Sequence, residues 1–189
     1  MKNLVLASSS PYRQELLQRL GIPFETISPD IDESPQPAES PEALVKRLSV
    51  EKAMAVAHCF DNHLIIGSDQ VAISDGKLLT KPGNFDNAFK QLRSESGKKV
   101  CFLTGLALLN SATQQRQVDV VMTEVVFRQL SDTEITEYLL SDTPYNCAGS
   151  FRSEGLGITL FDAVYSCDPT ALIGLPLISL NRMLKNFSK

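Results

Sequence analysis

Leu4 to Ala7 form an apolar run that passes straight into Ser8, Ser9, Ser10, Pro11 and a stretch with helical character that Gly21 closes. Such a junction leaves the chain few choices. A buried strand hands over to a helix within a tight turn, with Ser10 as N-cap and Pro11 at the first helical position. The alternation continues downstream: Pro23 to Ser28 reads as a second strand, and Pro29 to Pro41, rich in Pro, Ser, Asp and Glu, reads as an exposed loop. Ser40 and Pro41 then open a helix to about Phe60. Leu64 to Gly67 reads as a short strand that ends at Ser68 and Asp69, before a hairpin through Val71 to Ile73, the turn at Asp75 and Gly76, and Leu78 to Thr80. Asn84 to Ser96 suits a helix stopped by Gly97, Val100 to Leu109 and Val118 to Phe127 are strand-like, and Ser131 with Glu134 predicts a capping box for a helix to about Ser141. Beyond Gly149, Gly155 and Gly157 come another strand-like run and an amphipathic helix from about Pro176 to Phe187. Strands alternating with helices, a hairpin among them, predict an α/β fold with a mixed twisted sheet and flanking helices, its site in a central cleft between two lobes.

A length of 189 residues with 43% hydrophobic content suits a single domain, 1–189, with a core that needs no staples. The net charge of -4 argues against a binder of nucleic-acid polymers, which needs a basic surface, so any phosphate ligand has to be gripped locally. Cys59, Cys101, Cys147 and Cys167 form no CxxC pair, which suggests reduced thiols rather than a zinc or redox site. No run has the length of a secretory leader or a membrane span, so the expectation is a cytoplasmic protein with no membrane attachment.

The Ser8 to Arg13 turn brings hydroxyls, unpaired backbone N–H groups, the positive end of a helix dipole and a guanidinium to one volume, which suits a phosphate. Taken alone, the same turn is more often plain capping. Lys52 breaks a pattern: Val45, Leu48, Lys52, Ala55 and Cys59 follow helical spacing, placing an amine on an apolar stripe. Two readings are open there, a stem that snorkels to the surface and an ammonium turned into a cleft to neutralise phosphate. Asp69 closes an apolar strand, a favoured place for a catalytic group, though a turn former fits equally well. Lys81 before Pro82 reads on its own as surface charge. Asp30, Asp32 and Glu33 crowd a loop, either as solvated charge or as part of a hard-cation site, since magnesium needs only one or two carboxylates besides water and substrate phosphate. His58 and His63 lack a GxSxG companion, which weakens a serine-hydrolase reading.

Taken in order, SSSPYR at 8–13, DIDE at 30–33, Lys52 in VEKA, GSDQ at 67–70, Lys81 with Pro82, TGLALLN at 104–110, CAGSFRSEGLG at 147–157 and GLPL at 174–177 resemble the Maf family along most of the chain. The resemblance implies an elongated mixed-sheet fold of the Maf/ITPase-like kind, a frequent homodimer, and hydrolysis of a nucleoside triphosphate to monophosphate and pyrophosphate with a divalent metal cation, magnesium or manganese. It carries Asp69 over as proton acceptor, Glu33 as metal or water partner, so that Glu33 and Asp69 are the metal candidates, Lys52 and Lys81 as phosphate neutralisers, and Ser8 and Arg13 as the phosphate grip. Tyr12, Gln70 and Glu154 match the branch associated with 7-methylguanosine triphosphate, whereas the branch acting on dTTP and UTP carries Arg, Thr and Gln at those places. There is a physical reason: N7-methylguanine is cationic, so Tyr12 can stack on it and Glu154 can accept hydrogen bonds from its N1 and N2 groups. The rival expectations are a pyrophosphatase preferring dTTP or UTP, and a nucleotide-binding regulator of cell division without turnover.

Overall fold

A computed structural model describes residues 3–187. Its strands are β1 (Asn3–Ala7), β2 (Phe24–Ile27), β3 (His63–Ser74), β4 (Lys77–Leu79), β5 (Lys99–Asn110), β6 (Arg116–Phe127) and β7 (Phe161–Ser166). Its helices are α1 (Pro11–Gln18), α2 (Pro41–Ala57), α3 (Phe85–Glu95), α4 (Asp132–Asp142) and α5 (Leu177–Phe187). The strand order is β2-β1-β3-β5-β6-β7, with β4 paired to β3. Because β1 runs parallel to β2 and β3 while β4 and β7 run antiparallel to β3 and β6, the sheet is mixed, as the alternation of elements predicts. The chain divides into two compact units: residues 3–70, 103–121 and 168–187 form the first, and Val71–Phe102 with Met122–Cys167 the second.

In the first unit the parallel strands are covered on both faces, which explains their continuous apolar runs. Leu4 and Leu6 of β1 and Leu64 and Ile66 of β3 pack with Leu16 and Leu17 of α1 and with Leu177, Leu180 and Met183 of α5. The alternate residues Val5, Ala7 and Ile65 turn the other way, onto Ala53 and Val56 of α2. The α1 start is as expected, with Ser10 accepting from the Arg13 backbone and Pro11 at the first helical position.

The second unit is built on a group of rings. Phe127, Phe151 and Phe161 meet edge to face at 4.7 to 5.7 Å, and Phe102 joins through Phe151 at 5.3 Å. Each such pair adds about 0.5–1.5 kcal/mol beyond its buried area. The expected capping box closes on α4, where the Ser131 and Glu134 side chains each take the other's backbone N–H.

Two expectations need correction. The strand before Asp69 does not stop: β3 continues for 12 residues, and Asp69 lies inside it. Pairing with β1 carries β3 as far as Ile66 opposite Leu6, and pairing with β4 resumes from Ala72 opposite Leu79, so the backbone stays extended throughout. Asp69 nevertheless lies beyond Ala7, the last residue of β1. Helix α2 ends at Ala57 rather than near Phe60, its last turn tightening as the Phe60 N–H bonds the Ala57 carbonyl. Cys59 therefore leaves the apolar stripe and is exposed.

Candidate active site

Two glycines set the position of α2 on the sheet. A Cβ on Gly67 would stand 2.0 Å from the Ser49 carbonyl oxygen, and one on Gly105 would stand 2.3 Å from that of Val45. Helix and strands therefore meet backbone to backbone. That approach puts Lys52 on the buried face of α2, where it is 5% exposed and does not snorkel. Its Nζ lies 2.6 Å from Asp69 Oδ1 and 2.8 Å from Glu33 Oε1. One ammonium thus joins the central strand to the loop before α2, and two carboxylates converge on it.

Of the three loop acids, only Glu33 reaches that lysine. Asp32 instead accepts from the Ser34 backbone at 2.9 Å, and its bonds to the Ser34 side chain first and backbone second lower its pKa. Arg47, which sequence reasoning passed over, pins the same loop. It donates to both oxygens of Glu39, at 2.7 and 2.8 Å, and to the Ser34 carbonyl at 3.0 Å. The paired guanidinium holds the Glu39 carboxyl down at about 2. The only sequence signal for this role was the spacing of Arg47 and Glu51 on one helix, where a bond of 2.9 Å forms.

The serine turn is ordered by its own hydroxyls. Ser8 Oγ accepts from the Ser10 N–H at 3.1 Å, and Ser10 Oγ from the Arg13 N–H at 3.4 Å. Arg13 reaches back to donate from Nε to the Gly174 carbonyl at 2.8 Å. Burial lowers the pKa of its guanidinium, while Asp69 and then Glu33 oppose the shift, so Arg13 shares the field of the two carboxylates. Tyr12 is half-buried on α1.

A turn between β7 and α5 aims these groups, and it too escaped sequence reasoning beyond the GLPL pattern. Its Gly174 carbonyl, accepting from Arg13, also takes Ser68 Oγ at 2.9 Å; Ser68 lies 2.7 Å from the Gly105 carbonyl as well. Gln70 Nε2 donates toward Thr104 Oγ1 and the carbonyls of Ala171 and Leu172 at 2.9 to 3.1 Å. Gly174 has φ +119°, a conformation L side chains rarely adopt. Asp168, 2% exposed, fastens the turn to α5. One oxygen takes the Thr170 hydroxyl at 2.7 Å, and the other the N–H groups of Ile178 at 2.7 Å and Ser179 at 3.2 Å. Asp168→Ala should cost roughly 2–4 kcal/mol, because buried donors lose a charged acceptor at a helix start. A thermal melt together with the substrate KM checks this: both should worsen, and an unchanged KM would detach the turn from the site.

Lys81 and Glu154 belong to the second unit. Lys81 is exposed ahead of the buried Pro82, and Glu154 is exposed on the turn after Phe151. Both act electrostatically on Cys147: burial pushes its thiol up to about 11, Glu154 adds to the rise and Lys81 opposes it.

Among the described residues no group of three or more His, Cys, Asp or Glu could hold a metal ion. Glu33 and Asp69, converging on one cation, still offer the pair of hard oxygen donors that magnesium ordinarily takes from a protein. The first unit therefore combines a buried ammonium, a guanidinium and a helix start with two carboxylates, a set suited to an anionic, hydrolysable phosphate.

The family model described as Maf-like protein matches residues 3–187. A protein of Pseudomonas syringae pv. tomato named 7-methyl-GTP pyrophosphatase is 56% identical over 184 residues, covering 97% of this chain and 96% of that one. A protein of the same name from Pseudomonas aeruginosa is 55% identical with the same coverage. Among solved structures, a HAM1 protein from Coxiella burnetii overlaps 69% of this chain and 75% of its own, with TM-score 0.45 and 15% identity, a likeness too distant to bear on function. No helix among the described residues is long and apolar enough to cross a membrane.

Proposed function

Since the chain belongs to the Maf family, we propose that it hydrolyses a nucleoside triphosphate to the monophosphate and pyrophosphate, with 7-methyl-GTP as preferred substrate. The observation that carries the reading is the buried Lys52 ammonium shared by Asp69 and Glu33. Such an ammonium inside an apolar face is costly unless paired, and a triphosphate supplies further negative charge for it to meet. Asp69, one oxygen held by Lys52, takes a proton from water; the water oxygen bonds to the α-phosphorus as the bond to the bridging oxygen breaks, and pyrophosphate leaves with that electron pair. Lys52, Arg13 and Lys81 offset the phosphate charge, and the Ser8 turn receives phosphate oxygens. Glu33 and Asp69 would hold a divalent cation, magnesium or manganese, which when bound adds charge neutralisation at the phosphates.

For the base, Tyr12 offers a ring face and Gln70 an acceptor oxygen, while Glu154 is the carboxylate that meets the cationic methylated purine. A soluble nucleotide substrate fits a cytoplasmic enzyme. Turnover of 7-methyl-GTP, GTP, dTTP and UTP, with the products identified and with magnesium or manganese added to metal-stripped protein, tests the reading. The expected order puts the methylated purine first, and Glu154→Gln should reduce its lead by roughly tenfold or more, the worth of a charged hydrogen bond. A preference for pyrimidines overturns the specificity, and tight binding without pyrophosphate release would leave a nucleotide sensor.

A further inference from the structure

We propose that Asp142, at the end of α4, is a positioning residue that holds Glu154 in place and thereby sets selectivity for the methylated purine. The inference rests on the reading of Glu154 as the group that meets the base. Three side chains carry it, all in the second unit. Asp142 is 7% exposed, and its carboxylate pairs with Arg152 Nη2 on one oxygen and accepts from Tyr138 Oη on the other at 3.0 Å. Tyr138 Oη in turn accepts from the Arg152 backbone N–H at 3.1 Å. Arg152 is therefore fixed to α4 at both its backbone and its guanidinium.

The turn bearing Glu154 begins at that residue. It closes as the Gly155 N–H bonds the Arg152 carbonyl at 3.3 Å, which leaves Glu154 inside the loop. The far end of the turn rests on the same carboxylate: a Cβ on Gly155 would stand 3.0 Å from both Asp142 oxygens. Gly157 packs more closely still, its Cβ position 2.3 Å from the Arg152 carbonyl oxygen. Both ends of the turn thus meet Asp142 while the Glu154 side chain stays exposed. A carboxylate that recognises a base by hydrogen bonds has to be held to well under an ångström, and an exposed turn does not supply that by itself.

The test is a double-mutant cycle on kcat and KM for 7-methyl-GTP and GTP, using the wild type, Asp142→Asn, Glu154→Gln and the double variant, with a thermal melt of each. Asp142→Asn keeps the volume but loses the charge paired with Arg152. It should lower the ratio of kcat/KM for 7-methyl-GTP over GTP by about tenfold, mostly through KM for the methylated substrate, as expected for a misplaced recognition group. In the Glu154→Gln background the same change should leave the ratio where Glu154→Gln alone put it. Gly155→Ala, whose methyl group would press on the Asp142 carboxylate, should act in the same direction and serves if Asp142→Asn does not fold. A selectivity loss in Glu154→Gln with none in either positioning variant overturns this inference alone, as do effects that simply add in the double variant. No selectivity change in Glu154→Gln overturns the reading of Glu154 and this inference with it.

Discussion

Asp69→Asn should lower kcat by roughly 10²- to 10⁴-fold, the usual contribution of a placed general base, while leaving nucleotide affinity largely intact once magnesium or manganese is saturating, since an amide oxygen is a weaker cation ligand than a carboxylate. The separation of these effects follows from the geometry. Asparagine keeps an oxygen where Oδ1 stands 2.6 Å from Lys52, and Lys52 keeps Glu33 at 2.8 Å, so the phosphate-facing cation stays in position. What disappears is a basic oxygen and the charge opposite a buried ammonium. Removing one partner of a buried pair costs about 3–5 kcal/mol, and the remaining half-exposed Glu33 should bring the cost below that range. Single-turnover pyrophosphate release, a binding titration and a thermal melt together make the check. Full turnover in the variant would remove Asp69 as the proton acceptor, and a joint collapse of binding and folding would mark it as structural.

Gly67→Val should destabilise the protein and inactivate it together. The obstructing atoms are backbone, the Ser49 carbonyl oxygen at 2.0 Å and the Ala53 nitrogen at 3.0 Å, so no side-chain rotation relieves the clash. Either α2 lifts or β3 bends. Overpacking of this kind costs about 1–3 kcal/mol, occasionally more. In a chain of this size that corresponds to roughly 2–4 °C of Tm for each kcal/mol. Lys52 lies one residue before Ala53, so the shift that accommodates a valine carries the ammonium away from Asp69, and a misplacement of about 1 Å can cost 10²-fold in rate. Gly21→Ala is the control: Gly21 has φ +65° with nothing within 4 Å of the added methyl, so it should cost about 1 kcal/mol through backbone strain and leave kcat unchanged. Equal activity in the Gly67 and Gly21 variants would show that the close approach of α2 does not set the site.

Much of the fold was legible because its signals are local. Ser10, Ser40 and Ser131 each accept a backbone N–H three residues on, and every one was readable as a cap from its neighbours. The Asp75 and Gly76 hairpin was readable because both residues take positive φ, at 48° and 76°, which their types tolerate. The end of the strand at Asp69 was misread because its apolar run breaks at Gly67 and Ser68 and an aspartate is a common turn former. In the fold Gly67 and Ser68 are buried strand residues, since the backbone of α2 occupies the space a side chain would fill.

Residue order alone determined the β–turn–α junction at the serines and the anomaly of a lysine on an apolar helix face. These depend on spacings of a few residues, within which backbone geometry leaves little freedom. The tertiary structure alone decided where the groups point. Lys52 meets Asp69 across 17 positions, Arg13 is aimed by a carbonyl 161 positions away, and Gln70 by carbonyls 101 and 102 positions away. A backbone carbonyl is the same at every residue, so no side-chain pattern announces which one will accept; only the packing of α2 on two glycines and the fastening of the last turn by Asp168 select it.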